Sequence, residues 1–120
     1  MMKVSIIGLL VFLAAAVALD AHHGQAAFDR TAKVTLEGTV TDFHFVNPHS
    51  VVEFDVTDAS GKVDHWQAEM TSPSRLKGWT ASSLEAGDGV TVTGYRAKSG
   101  ALSLWVTELS SSSGMKLKGA

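Results

Sequence analysis

The feature that most restricts the fold of this chain is an alternation of apolar and polar residues in short segments. In KVTLEGTVTDFHFV, one face of an extended strand carries Val34, Leu36 and Val40, and the other carries threonines and a glutamate. Four later segments, SVVEFDVT, VDHWQAEM, VTVTGYRA and ALSLWVTEL, have the same period, and most are separated by turns that contain glycine. A period of two is typical of half-buried strands, so the sequence predicts an all-β domain.

The order of the predicted elements narrows the choice of fold. SPSRLKGW, between the third and fourth strands, reads as a short helix with Ser72 as N-cap, Pro73 in the first turn and Gly78 after its end. The order β-β-β-short α-β-β is that of the OB-fold, a five-stranded, partly open barrel. We therefore expect a small OB-like barrel, with another small antiparallel barrel or sandwich as the alternative. The polar tail has room for a final short strand at Met115 to Leu117.

The N-terminal 21 residues have the pattern of a secretory signal peptide. Lys3 gives a positive start, an apolar run extends from Val4 to Leu19, and small residues follow. The run is shorter than the ~20 residues that a membrane span needs. Cleavage after Ala18 or after Ala21 fits the preference for small residues, and an uncleaved anchor is the alternative.

These features divide the chain into a signal peptide at residues 1–21, an N-terminal arm at 22–33 and an OB-like β domain at 34–120. We therefore expect a periplasmic or secreted protein with no stable membrane span in the mature chain.

Composition excludes several classes of function. Cysteine is absent, which removes disulfides, thiolate metal sites and thiol nucleophiles. The formal net charge is −2 with no basic block, which argues against a nucleic-acid-binding surface. No G-x-S-x-G elbow and no phosphate-binding glycine loop occurs. We therefore expect a binding protein rather than an enzyme.

Histidines are the main candidates for chemistry, and the chain has five: His22, His23, His44, His49 and His65. Without cysteine, a metal site would use imidazole and carboxylate ligands, which suit copper or zinc. If cleavage leaves His22 first, its amine and imidazole can chelate one ion. A second imidazole would complete the T-shaped set called a histidine brace, which suits copper. The alternative is a polar terminus with no ligand role.

A hairpin across DASGK predicts a second candidate pair. Its apolar residues, with even numbers on both strands, face the core: Val52, Phe54, Val56, Trp66, Ala68 and Met70. His49, after the Asn47-Pro48 turn, and Glu69 then lie on the outer face, directly opposite or diagonal according to the register. Such a pair can share a metal ion or simply form a hydrogen bond.

The same outer face carries Gln67, Glu53 and His65, and we expect His65 to be solvated. His44 has the parity of the core face, so it points inward unless a bulge near Asp42 turns it outward. We expect it to be held by a hydrogen bond rather than to be a metal ligand. Trp79, just past the short helix, is expected to line the rim of a groove.

The quoted residues resemble an uncharacterised family of small exported bacterial proteins. The shared motifs are AHHGQAAFD, VTLEGTVTDFHFVNPH, WQAEMTSP, LKGW and GDGVTVTGYRAKSG, and they span nearly the whole mature chain. The resemblance implies a periplasmic location and one small β domain, but no settled activity. Gly24 and Phe45 stand where the family pattern has serine and tryptophan. The positions that match the pattern are His22, His23, Asn47, Pro48, His49, Glu69 and Trp79.

Two functional hypotheses follow. The first is a periplasmic metal-binding protein, with copper ahead of zinc, whose ligands are His22, His23, His49 and Glu69. The second is an OB-like adapter that binds an envelope protein or a small ligand without a metal. Its contact surface would comprise Asn47, His65, Gln67 and Trp79.

Overall fold

The protein is described by a computed structural model that covers residues 25–119. The predicted signal peptide, its cleavage sites and the pair His22 and His23 lie outside these residues. Within them, no helix is long and apolar enough to span a bilayer.

Six strands and two 3-10 helices form the described fold, which confirms the prediction of an all-β domain. A 3-10 helix at Gln25–Ala27 leads into the strands, and a second one lies at Pro73–Arg75. The strands are β1 at Phe28–His44, β2 at Val51–Thr57, β3 at Val63–Glu69, β4 at Gly89–Ala97, β5 at Ser103–Ser111 and β6 at Lys116–Lys118.

Five of these strands form a ring of pairings, which agrees with the predicted OB-like arrangement. The long β1 pairs antiparallel with both β2 and β4, β2 pairs with β3, and β4 pairs with β5. The ring is completed by β3 and β5, which run parallel where Gln67–Glu69 face Ser103–Trp105. The short β6 adds to the outer edge of β5.

The core lies inside this ring and is built from the alternating apolar residues. Val52 and Phe54 of β2 face Ala68 and Trp66 of β3, as the hairpin parity predicts. The ring places these side chains against those of β4 and β5, such as Val92. Burial of this apolar surface is the main favourable term for the fold.

The predicted short helix is wrong in type, because only a three-residue 3-10 helix forms at Pro73–Arg75. Ser72 makes no side-chain cap hydrogen bond there. Leu76 and Trp79 are both buried, so apolar anchors hold this connection together with the short backbone hydrogen bonds, such as that from Leu76 N–H to the Pro73 carbonyl. Gly78 has a φ of +82°, which fits its predicted place in a turn.

The predicted start of the β domain at residue 34 is also wrong, because β1 begins at Phe28. Phe28 is buried, pairs with Ala97 and packs its ring 6.0 Å from that of Trp105. The polar residues Asp29 to Thr31 interrupt the alternation and hide this part of the strand from the sequence pattern. Part of the predicted N-terminal arm therefore belongs to the sheet.

Candidate functional site

A β-bulge in β1 turns His44 outward. The register of β1 against β2 shifts between Val40 and Asp42, and beyond that point His44 faces Val51. Its side chain is 44% exposed, and its Nε2 lies 2.6 Å from Oε2 of Glu53. The inward direction suggested by the parity of His44 is therefore wrong, and the stated exception, a bulge near Asp42, applies.

Glu53 is the centre of a group of ionisable side chains on three neighbouring strands. Its Oε2 faces His44 of β1, and its Oε1 lies 3.2 Å from Nε2 of His65 on β3. The other ring nitrogen of His65, Nδ1, lies 2.6 Å from Oδ1 of Asp55. Asp42 adds a carboxylate oxygen 3.5 Å from Nε2 of His44. We call these five residues the histidine–carboxylate cluster.

The cluster shifts the proton affinities of its members. The hydrogen bond with Glu53 raises the pKa of His44, and the Asp42 charge also favours the protonated ring. The pKa of His65 is raised first by its hydrogen bond with Asp55 and then by that with Glu53. Conversely, the hydrogen bonds from His44 and His65 lower the pKa of Glu53.

These shifts predict a pH dependence of stability in the metal-free protein. Because the histidine pKa values are raised on folding, their contribution is complete below the unfolded value of about 6.5 and declines as pH rises through the folded values. Because the Glu53 pKa is lowered, its contribution is present above about 4.3 and declines as pH falls further. The cluster therefore stabilises most between these limits, by the modest amount typical of exposed ion pairs.

Thermal melts with a chelator present, at pH 5.5 and pH 8.5, measure this effect. We expect the wild type to lose more stability between the two pH values than the His44→Gln/His65→Gln double variant. Equal pH dependence in both proteins would contradict the assigned ion pairs.

Three residues of the cluster place donor atoms close enough for one cation. One ligand atom each from Asp42, His44 and Glu53 lies within 4.8 Å of the others. Asp42 and His44 are exposed and Glu53 is half-buried, so an ion can reach the donors from solvent. The group offers one imidazole and two carboxylates, donor types that divalent cations accept.

The pair predicted from the hairpin lies at the other end of the same face. Val51 pairs with Glu69, which selects the second of the two predicted registers and leaves His49 diagonal to Glu69. The His49 ring packs edge-on against Trp105, with centroids 5.2 Å apart, and Trp105 itself pairs with Glu69. Among the described residues, no hydrogen bond joins His49 to Glu69.

Only some residues of the predicted contact surface are exposed to solvent. Asn47 and Gln67 are exposed, and Gln67 lies directly opposite Glu53 beside the cluster. His65 is half exposed but tied to two carboxylates. The prediction that Trp79 lines the rim of a groove is wrong, because its side chain is 8% exposed and packs edge-on against Phe43 in the core. The apolar ring gains more from burial than from a place at the rim.

Sequence reasoning missed Asp42 and Asp55 as partners of the histidines. The signal for Asp55 was available, since the register that pairs Val51 with Glu69 also pairs Asp55 with His65. Asp42 carried no such signal, because its position depends on the bulge in β1.

Comparison with known proteins places the chain in a family. The profile of DUF6152 matches residues 10–104, which is most of the chain. The chain belongs to DUF6152, a family of unknown function. This confirms the resemblance to an uncharacterised family. Among curated proteins, no sequence matches the chain significantly.

Solved structures share the fold, and 25 chains match significantly. The N-terminal domain of PriB from Thermoanaerobacter tencongensis, solved as a dimer, is 22% identical with a TM-score of 0.50, and the match covers 68% of this chain and 96% of that one. A mutant of TiaS that lacks its ZRD, solved with agmatine, is 19% identical with a TM-score of 0.51. That match covers 68% of this chain but only 21% of TiaS. At such identities the likeness concerns the fold alone.

Proposed function

We propose that this member of DUF6152 is a periplasmic metal-binding protein that binds or delivers copper. The observation that carries the proposal is the convergence of Asp42, His44 and Glu53, whose ligand atoms lie within 4.8 Å of one another. Binding rather than catalysis is the expected role, since the cluster lies on an open strand face.

The chemistry of the donors fits a borderline transition metal. Imidazole nitrogen with carboxylate oxygen suits Cu(II) and Zn(II), and affinities at such sites normally favour Cu(II). With metal–ligand bonds of about 2.0 to 2.2 Å, two ligands at right angles are about 2.9 Å apart. The 2.6 Å from His44 Nε2 to Glu53 Oε2 and the 3.5 Å to Asp42 Oδ2 are close to this spacing. Small side-chain rotations would bring all three donors onto one ion.

The position of the cluster on the fold supports a cationic ligand. OB-folds commonly bind their ligands across the face of strands two and three. Here that face carries Glu53 and Asp55 on β2, and His65 and Glu69 on β3. Carboxylates repel phosphate groups but attract cations, so the charge favours a metal ion over a nucleic acid.

The ligand set predicted from the sequence is a second candidate site. His49 contacts Trp105, and Trp105 pairs with Glu69, so these two predicted ligands share one neighbour. We therefore retain His22, His23, His49 and Glu69 as a site in which Glu69 is a weak ligand.

Titration of the mature protein with Cu(II) against a competing chelator tests the proposal and separates the two sites. For the cluster, we expect Glu53→Gln to weaken Cu(II) binding at least tenfold by removing a charged ligand. The matched control, Glu108→Gln, changes an exposed strand glutamate on β5 and should leave affinity unchanged.

His22→Ala and His49→Gln test the N-terminal set in the same titration. Binding lost in these variants but unchanged in Glu53→Gln would place the metal at the sequence-predicted site and contradict the cluster. If no variant changes Cu(II) binding, or if the wild-type protein binds no Cu(II), the proposed function is wrong. The metal-free adapter, which uses the exposed Asn47 and Gln67, would then be the better account.

A further inference from the structure

We propose that the histidine–carboxylate cluster holds two cations, with the Glu53 carboxylate bridging them. The first ion is bound by Asp42, His44 and Glu53 Oε2. The second is bound by Glu53 Oε1 and His65 Nε2. This inference rests on the proposed function, because it adds a second ion to the same cluster.

The two carboxylate oxygens of Glu53 already contact different imidazole rings. Oε2 lies 2.6 Å from His44 Nε2, and Oε1 lies 3.2 Å from His65 Nε2. Imidazole and carboxylate ligands of one ion are separated by about 2.9 Å at a right angle and about 3.4 Å at a tetrahedral angle. The second pair has this separation without any rearrangement, and each ion would replace one proton held between nitrogen and oxygen.

Asp55 prepares His65 for this role as a positioning residue. Its Oδ1 lies 2.6 Å from His65 Nδ1 and so holds the proton on that nitrogen. When an ion replaces the Nε2 proton that is hydrogen-bonded to Glu53, the lone pair of Nε2 faces the ion. Metal-binding histidines usually have such a carboxylate partner on the second ring nitrogen, and its removal typically costs about 10–100-fold in affinity.

The surroundings supply further oxygen donors for the second ion. Gln67 is directly opposite Glu53 on β3, and its exposed side chain has an amide oxygen on the same face. His65 is half exposed, which leaves room for water ligands. Carboxylate-bridged pairs of ions are commonly about 3.5–4 Å apart, a separation that a single glutamate can span.

Electron paramagnetic resonance of the Cu(II)-loaded mature protein, with the number of bound ions counted by metal analysis, tests the inference. Two Cu(II) ions at this separation couple magnetically and give a half-field signal, which an isolated ion does not. We expect this signal in the wild type. We expect His65→Gln to abolish it, to bind one ion fewer and to keep the signal of the first ion. Asp55→Asn should lower the affinity for the second ion at least tenfold and leave the affinity for the first ion unchanged.

The outcomes separate this inference from the proposed function. If copper binding depends on Glu53 but only one ion binds and no half-field signal appears, the proposal of a second ion is wrong, while the proposed function stands. Loss of one ion in His22→Ala instead of His65→Gln also overturns it. If Glu53→Gln leaves all copper binding unchanged, the cluster binds neither ion, and the proposed function then rests on the N-terminal set alone. Circular dichroism of each variant confirms that the sheet is retained.

Discussion

Replacing Trp105 by alanine is expected to lower the free energy of unfolding by about 4 kcal/mol, the typical cost of truncating a buried tryptophan. Trp105 is 5% exposed but does not belong to the main core. It lies outside the ring, where the rings of Phe28 and His49 pack against it at 6.0 and 5.2 Å. Its removal leaves a cavity and detaches the start of β1 from the sheet.

Urea denaturation of the variant measures this loss. Leu102→Ala is the control, because Leu102 lies in the preceding turn and is 38% exposed, and its change should cost well under 1 kcal/mol. Phe28→Ala should cost less in the Trp105→Ala background than alone, because residues in contact are not additive. A cost for Trp105→Ala below about 1 kcal/mol would show that the outer contacts do not anchor this end of the chain.

Gly94→Ala is expected to destabilise the protein by about 3 kcal/mol, at the upper end for overpacking. A Cβ at Gly94 would overlap the backbone carbonyl of Trp105 across the β4–β5 pairing, where the register shifts between Thr93 and Gly94. Neither strand can move away without breaking ring hydrogen bonds, so the clash is not relieved by a side-chain rotation.

Gly89→Ala is a matched control on the same strand. Its Cβ would meet only the Ser112 side chain, at 3.7 Å, which is ordinary van der Waals contact. We expect its stability to stay within about 0.5 kcal/mol of the wild type. Equal effects of the two substitutions in urea denaturation would mean that the close strand approach at Gly94 is not tight.

The fold was predictable because most of it depends on local alternation. The apolar–polar alternation identified the core faces of β2 and β3. Because the core residues have even numbers on both strands, only two registers of the pair were considered. The alternation failed at Asp29 to Thr31, where polar residues occupy a strand that Phe28 anchors through a distant tryptophan. Pro73 and Gly78 suggested a helix, but burial of Leu76 and Trp79 favoured a shorter 3-10 turn.

The candidate site was less predictable, because it depends on pairings between strands. The outer face of Glu53 and His65 followed from parity, but the proximity of His44 to Glu53 required the bulge after Val40. The contact of His49 with Trp105 was likewise not predictable, since it joins segments that are far apart in sequence.

The central claim, that the histidine–carboxylate cluster is a metal site, is most directly tested by nuclear magnetic resonance of imidazole nitrogens. Mature protein labelled with 15N-histidine would be titrated with Zn(II), which is diamagnetic and accepts the same donors. The account predicts that the Nε2 signals of His44 and His65 shift first, while Nδ1 of His65 stays protonated against Asp55. Shifts confined to His22, His23 and His49, with His44 and His65 unchanged, would contradict it.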